Sequence, residues 1–221
     1  MAKIISLLLA TLCSAGVLAA ELQVVLQDAK GQPLSDAVLW ITPSSAPSSA
    51  ANDQLNGLMD QQKRSFVPYV LAVQRGTTVR FPNSDPINHH VYSFSPAKRF
   101  ELRLHHQGEG AQEVLFDHVG LVTLGCNVHD WMLGFILVVD SPWFVQTDVN
   151  GRARLHYSPA KDQQLNLWHP QLANTEASLA RPVPTNGMAR INLTQPLKRD
   201  PRPSVPRKPA RPRLGGGGYL P

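Results

Sequence analysis

Along the chain, apolar positions alternate with polar ones or gather in short unbroken runs, and no long stretch keeps the 3.6-residue spacing of an amphipathic helix. "LQVVL" from Leu22, "AVLWI" from Ala37, "YVLAV" from Tyr69, "TTVRF" from Thr77 and "HVYSF" from His90 have the length and the β-branched or aromatic content of strands. So do "FELRL" from Phe100, "EVLF" from Glu113, "LVTL" from Leu121 and "FILVV" from Phe135. Gly, Pro, Asn and Asp separate the runs, as turns require. The expected class is all-β.

Two stretches interrupt this pattern and one precedes it. "SSAPSSAAN", Ser44 to Asn52, is low in complexity and reads as a loop or linker. "PRPSVPRKPARPRLGGGGYLP", from Pro201, is too rich in Pro, Arg and Gly to pack, and disorder is expected from 198 to 221. At the other end Lys3 precedes an apolar run of about sixteen residues that closes on small residues. That is the layout of a secretory signal peptide, with cleavage near Ala19 or Ala20 and export to the periplasm as the expectation. A membrane anchor is the alternative, although a span needs about 20 apolar residues.

Charge changes the picture only once it is located. The chain carries a formal +5, yet seven basic side chains against Asp200 put +6 between 198 and 221. Without that segment and Lys3 the body is at −2, which removes nucleic acid as a partner and leaves weak contact of the tail with anionic surfaces. Composition is otherwise that of a soluble globular protein, at 43% hydrophobic and 17% charged.

Cleavage would remove Cys13 and leave Cys126 as the one cysteine, so no internal disulfide can form. Its neighbours give it a role. "GCNVHDWM" presents Cys126, His129 and Met132 in the spacing C-x2-H-x2-M, between a strand that delivers Cys126 and the apolar run after Met132. Thiolate, imidazole and a weak thioether are the donors of a blue-copper site that lacks only a second histidine. Zinc is the rival ion, although a structural zinc site seldom uses Met. A two-copper centre would need a second loop cysteine and is excluded.

"VQRGTTVRFPNSDPINHHVYSF", Val73 to Phe94, resembles the cupredoxins plastocyanin and amicyanin. These have a Gly turn, a strand ending in an aromatic, an Asn two residues on and a ligand His eight beyond the aromatic. Phe81, Asn83 and His89 keep that spacing, and Gly134 follows Met132 as in amicyanin. The resemblance covers about Val67 to Asp140. It implies a cupredoxin-like Greek-key β-sandwich with one type 1 copper held by His89, Cys126, His129 and Met132. His90 stands where cupredoxins usually have Asn; neighbouring strand residues face opposite ways, and His89 is the expected ligand of the pair. Trp131, between two candidate ligands, suits either core packing or an electron-entry patch beside His129. His105, His106, His118, His156 and His169 lack metal spacing and read as surface or loop residues.

The flanks carry a second resemblance. "DAKGQPLSDAVLWI" from Asp28, "QTDVNGRARLHYSP" from Gln146 and "LNLWHP" from Leu165 look like successive strands of a carboxypeptidase-regulatory or transthyretin-like sandwich cut in two. A single sandwich with extra strands is the alternative. The expected organisation is a signal peptide over 1–20, the first half of the accessory sandwich plus linker over 21–52, and the copper domain over 53–140. The second half of the accessory sandwich follows over 141–197, and the tail over 198–221. The whole chain is similar to periplasmic cupredoxin-like proteins often labelled methylamine utilisation proteins. What these resemblances imply is a noncatalytic, periplasmic one-electron carrier serving a periplasmic redox partner protein. A copper delivery or storage protein is the alternative, and solvent-exposed Met-rich or His-rich tracts would mark it.

Overall fold

The computed structural model describes residues 19–42, 56–103, 106–174 and 178–202. The N-terminal apolar segment to residue 18, the linker region 43–55, His105 and the tail from 203 lie outside the described residues. The described residues form strands and loops with no helix.

The chain enters through β1 (Ala20–Asp28) and β2 (Val38–Ile41). The central segment then runs through β3 (Asn56–Leu58), β4 (Asp60–Gln62), β5 (Ser65–Val67), β6 (Val70–Gln74), β7 (Thr77–Phe81) and β8 (Val91–Ser95). It continues as β9 (Lys98–Glu101), β10 (Gln112–Phe116), β11 (Gly120–Cys126) and β12 (Leu133–Val139). β13 (Phe144–Gln146), β14 (Arg152–Tyr157), β15 (Gln164–Trp168), β16 (Leu179–Pro182) and β17 (Met188–Leu193) return to the strands that opened the chain. All nine predicted runs contain a strand, although β9 stops at Glu101 and leaves Leu102 buried just beyond it. Alternation did not reveal the short polar β3 to β5, nor β16 and β17.

Four larger sheets result, with β4 and β5 as a separate hairpin. β14-β1-β17 faces β13-β2-β15-β16 across an aliphatic core built from Leu22, Val24, Leu26, Leu39, Ile41, Leu165 and Ile191. β10-β7-β3 faces β6-β12-β11-β8-β9 across a second core that includes Phe81, Phe116, Val122, Leu124 and Ile136. Strict alternation, seen in the buried Ala153, Leu155 and Tyr157 of β14, marks strands with one face in water. β12 differs because both of its faces are covered. Ile136 and Val138 enter the central core, whereas Phe135, Leu137 and Val139 join Val38 and Trp168 in a third cluster against the flanking sheet. The Phe135 and Trp168 rings meet edge to face, 5.6 Å apart. Double-sided burial explains why "FILVV" is unbroken.

The central segment leaves and re-enters the flanking sheet at one place. Ile41 N donates to Trp143 O at 3.1 Å, Ser141 Oγ donates to Ile41 O at 2.6 Å, and Phe144 pairs with Trp40. Near the C-terminal end of the described chain, Lys198 N donates to Gln171 O, and the Arg202 guanidinium pairs with Asp36 at 2.8 Å and with Asp200 at 2.6 Å. It also lies 4.0 Å above the Tyr69 ring. The first five residues of the expected tail are thus held across the junction between flanking and central sheets.

Candidate metal centre

The site forms at one pole of the central sheets, where the β7–β8 connection meets the β11–β12 loop. β11 ends on Cys126, whose neighbour Gly125 pairs with Tyr92 of β8. A side chain at 125 would collide with the Tyr92 ring, since a Cβ there would lie 2.6 Å from Cζ. The missing side chain lets β8 close on β11 and carries the preceding loop, with His89, over the thiol. Asn127 N donates to His90 O at 3.0 Å and fastens the two loops together. Within the second loop, Met132 N donates to His129 O at 3.0 Å, which folds the three candidate donors into one turn.

His89, Cys126 and His129 present their ligand atoms within 4.8 Å of one another. Cys126 Sγ lies 3.6 Å from His89 Nδ1 and 3.8 Å from His129 Nδ1. Thiolate and imidazole donors held at about 2.3 Å and about 2.0–2.1 Å from one ion stand about 3.6 Å apart at a tetrahedral angle and about 3.8 Å apart at a trigonal one. Both observed separations fall on those values, so the three residues fit a single metal ion. Met132 is buried in the same core cluster as Cys126, and the two line one surface groove with Tyr92 and Phe94. His89 is fully buried and Cys126 nearly so, whereas His129 is partly exposed. Burial first, then the nearby His89 ring and the Arg64 guanidinium, holds the His129 pKa below the ordinary imidazole range against the pull of Asp85. The neutral ring that results is the form that binds metal.

The other sequence candidates separate clearly. His90 is not one of the converging donors and pairs with Glu101 at 2.9 Å. Trp131 is 63% exposed, with its ring 5.3 Å from that of His129, so it belongs to the surface around the partly open histidine rather than to the core. His106 and His118 are exposed, and His156 faces Glu21 at the surface. His169 is not a surface residue: it is buried, with Nε2 3.0 Å from Ser35 O.

Sequence reasoning missed Asp85. Its Oδ2 lies 2.8 Å from His89 Nε2 and accepts from Arg64 N at 2.7 Å, and Oδ1 accepts from Lys63 N. Burial raises its pKa, but the Arg64 amide, the His89 ring and the Lys63 amide outweigh burial and leave it below the usual carboxylate range. The signal available, an Asp four residues before a candidate ligand, lies in a loop where no periodicity tells which side chains face each other.

Two facing sheets with two imidazoles and a thiol gathered at one pole define the central fold. It is cupredoxin-like. No protein-family model matches the sequence, and no curated protein matches it. Among solved structures, a purple cupredoxin from Nitrosopumilus maritimus is 22% identical, with 38% of this chain and 98% of that one covered at a TM-score of 0.34. A mutant amicyanin in its reduced state is 21% identical, with 46% and 98% covered at 0.36. A copper-containing nitrite reductase from Thermus scotoductus is 25% identical over 38% of this chain, at 0.36. The chain spans 22% of that reductase's length.

Proposed function

We propose that the protein is a periplasmic carrier of single electrons, with one type 1 copper held by His89, Cys126, His129 and Met132. The observation that carries this reading is the convergence of Cys126 Sγ with the Nδ1 atoms of both histidines at metal-bridging separations. Copper bound there would supply a one-electron couple. Cys126 and Met132 offer soft donors that retain the reduced ion, and the two imidazoles suit the oxidised one. Burial of His89, Cys126 and Met132 keeps water from the donors, while the exposed edge formed by His129 and Trp131 gives a redox partner protein its approach. Four protein donors leave no open position for a substrate, so no turnover is expected.

Export by a cleaved signal peptide over 1–20 belongs to the same proposal. So does a copper domain over 53–140 inserted into an accessory sandwich, for which the hydrogen-bonded neighbours Ile41, Ser141 and Trp143 are the support. The experiment is to load the chain with Cu(II), reduce it, reoxidise it with a small one-electron oxidant, and follow the thiolate-to-copper band through repeated cycles with a Cu(I) chelator present. Full recovery of the band is expected. Loss of copper to the chelator at the first reduction would instead favour a delivery or storage protein.

A further inference from the structure

A buried carboxylate stands directly behind the first candidate ligand. His89 turns Nδ1 towards Cys126 Sγ and Nε2 towards Asp85 Oδ2, so the two ring nitrogens have separate tasks. Asp85 is itself fixed. Its amide donates to Asn83 Oδ1 at 2.9 Å, and Asn83 Nδ2 donates to Ile87 O at 2.9 Å. Its two oxygens also take the successive amides of Lys63 and Arg64, which form the tip of the β4–β5 hairpin. Both tip residues are left-handed, at φ 51° and 56°, a conformation that non-glycine residues keep only where the surroundings hold it. One carboxylate therefore ties a strained hairpin to a metal-facing imidazole, with Asp85 5% exposed and His89 fully buried.

We propose that Asp85 is a positioning residue of the metal centre, which locks His89 in the tautomer that frees Nδ1 and sets a buried negative charge behind it to favour the oxidised metal. This rests on the reading of His89 as a ligand. An acceptor at Nε2 keeps the ring proton there and leaves the Nδ1 lone pair for the ion. The carboxylate polarises that N–H and makes the imidazole a stronger donor, which stabilises the more highly charged metal more. Burial of both side chains leaves the interaction little screened.

The test compares the full chain with Asp85→Asn, Asp85→Glu and Asp60→Asn. Asp60 is the control because it is buried and braces the same hairpin, through Gln62 Nε2 and Ser84 Oγ, without hydrogen bonding to His89. In the metal-free chain, nitrogen-15 NMR should show the His89 proton on Nε2, exchanging slowly with solvent. Asp85→Asn should mix the tautomers and speed exchange, Asp85→Glu should keep part of both properties, and Asp60→Asn should keep both. With copper bound, Asp85→Asn should lower the ratio of Cu(II) to Cu(I) affinity by about tenfold, which raises a one-electron potential by about 59 mV. Its affinity for Co(II) should fall by about 10–100-fold.

An unprotected Nε2–H in the unmodified chain overturns the proposal, even if no variant folds. Equal shifts in potential and tautomer for Asp60→Asn and Asp85→Asn overturn it as well, since the effect would then be structural. If the chain takes up no copper, the electron-carrier reading fails, and the metal-free and Co(II) measurements still decide the role of Asp85.

Discussion

The flanking sheets and the metal-facing pole of the cupredoxin-like sheets bury polar side chains in different ways. In the flanking part these groups serve the backbone. Thr147 Oγ1 donates to Leu34 O, Gln163 Nε2 to Ser158 O and Ser141 Oγ to Ile41 O, and His169 Nε2 meets Ser35 O. Each replaces a hydrogen bond that a turn would otherwise leave unmade. At the pole of the central sheets, ionisable side chains meet one another instead, as Asp85 meets His89 and His89 meets Cys126. Mutually facing ionisable groups carry a desolvation cost that packing alone does not require, and that cost marks a site. Two regions with similar alternation thus differ in what these buried polar atoms are for.

The sharpest way to separate the two regions is to remove the thiol. Cys126→Ala should abolish the intense visible band of the Cu(II)-loaded protein completely, while urea unfolding of the metal-free chain shifts by no more than about 1–2 kcal/mol. Unfolding of the apo-protein by that substitution would mean that the centre is part of the scaffold. Next comes Trp168, 1% exposed and packed edge to face on Phe135 across the junction. Trp168→Ala should cost about 3–5 kcal/mol and split a single unfolding transition in two, as read by circular dichroism. A single transition retained at lower denaturant would show that the regions do not unfold separately.

Gly151 tests the flanking sheets alone. Its φ is 68°, and a Cβ added there would lie 2.2 Å from Leu26 O, so Gly151→Ala meets both strain and collision. A loss of about 1–3 kcal/mol is expected, with the copper band unchanged. The smallest effect concerns acid. Burial above all holds the His169 pKa below the ordinary range, against the raising pull of Ser35 O and Asp36. An unfolded imidazole titrates at about 6.5, so the unfolded chain binds more protons just below that pH. The contribution of His169 to stability is therefore complete above about pH 6.5 and lost as pH falls towards the lower folded value. His169→Gln should flatten the stability profile in that window. Superimposable profiles would exclude His169 as a source of acid sensitivity.

Much of this architecture is legible without coordinates, for identifiable reasons. Nine strands announce themselves because half-buried strands alternate and doubly covered ones such as β12 run unbroken, and Cys126, His129 and Met132 lie close enough along the chain for spacing to show their chemistry. His89 needed the pattern of a whole strand and loop before it. Asp85 was out of reach because the loop from Pro82 to His90 has no period, so nothing in the order of residues says that position 85 faces position 89. β4 and β5 were missed for a related reason. Asp60 and Gln61 are buried through hydrogen bonds to Ser84 and Pro82, about twenty residues away, rather than through apolar alternation.

β1 lies between β14 and β17 in its sheet, with Ala20 beside Tyr157 and Gln23 beside Met188. The first strand among the described residues is therefore an interior strand whose neighbours are the fourteenth and the last of them. A chain shortened before Met188 leaves one side of β1 as an open edge, with the unpaired amides and carbonyls that recruit other chains. Loop closure across such separations is slow, whereas β11 and β12 close on each other as a local hairpin. Folding can thus form the loop that carries Cys126, His129 and Met132 while the N-terminal strand still waits, and aggregation of incomplete chains is expected to begin at β1.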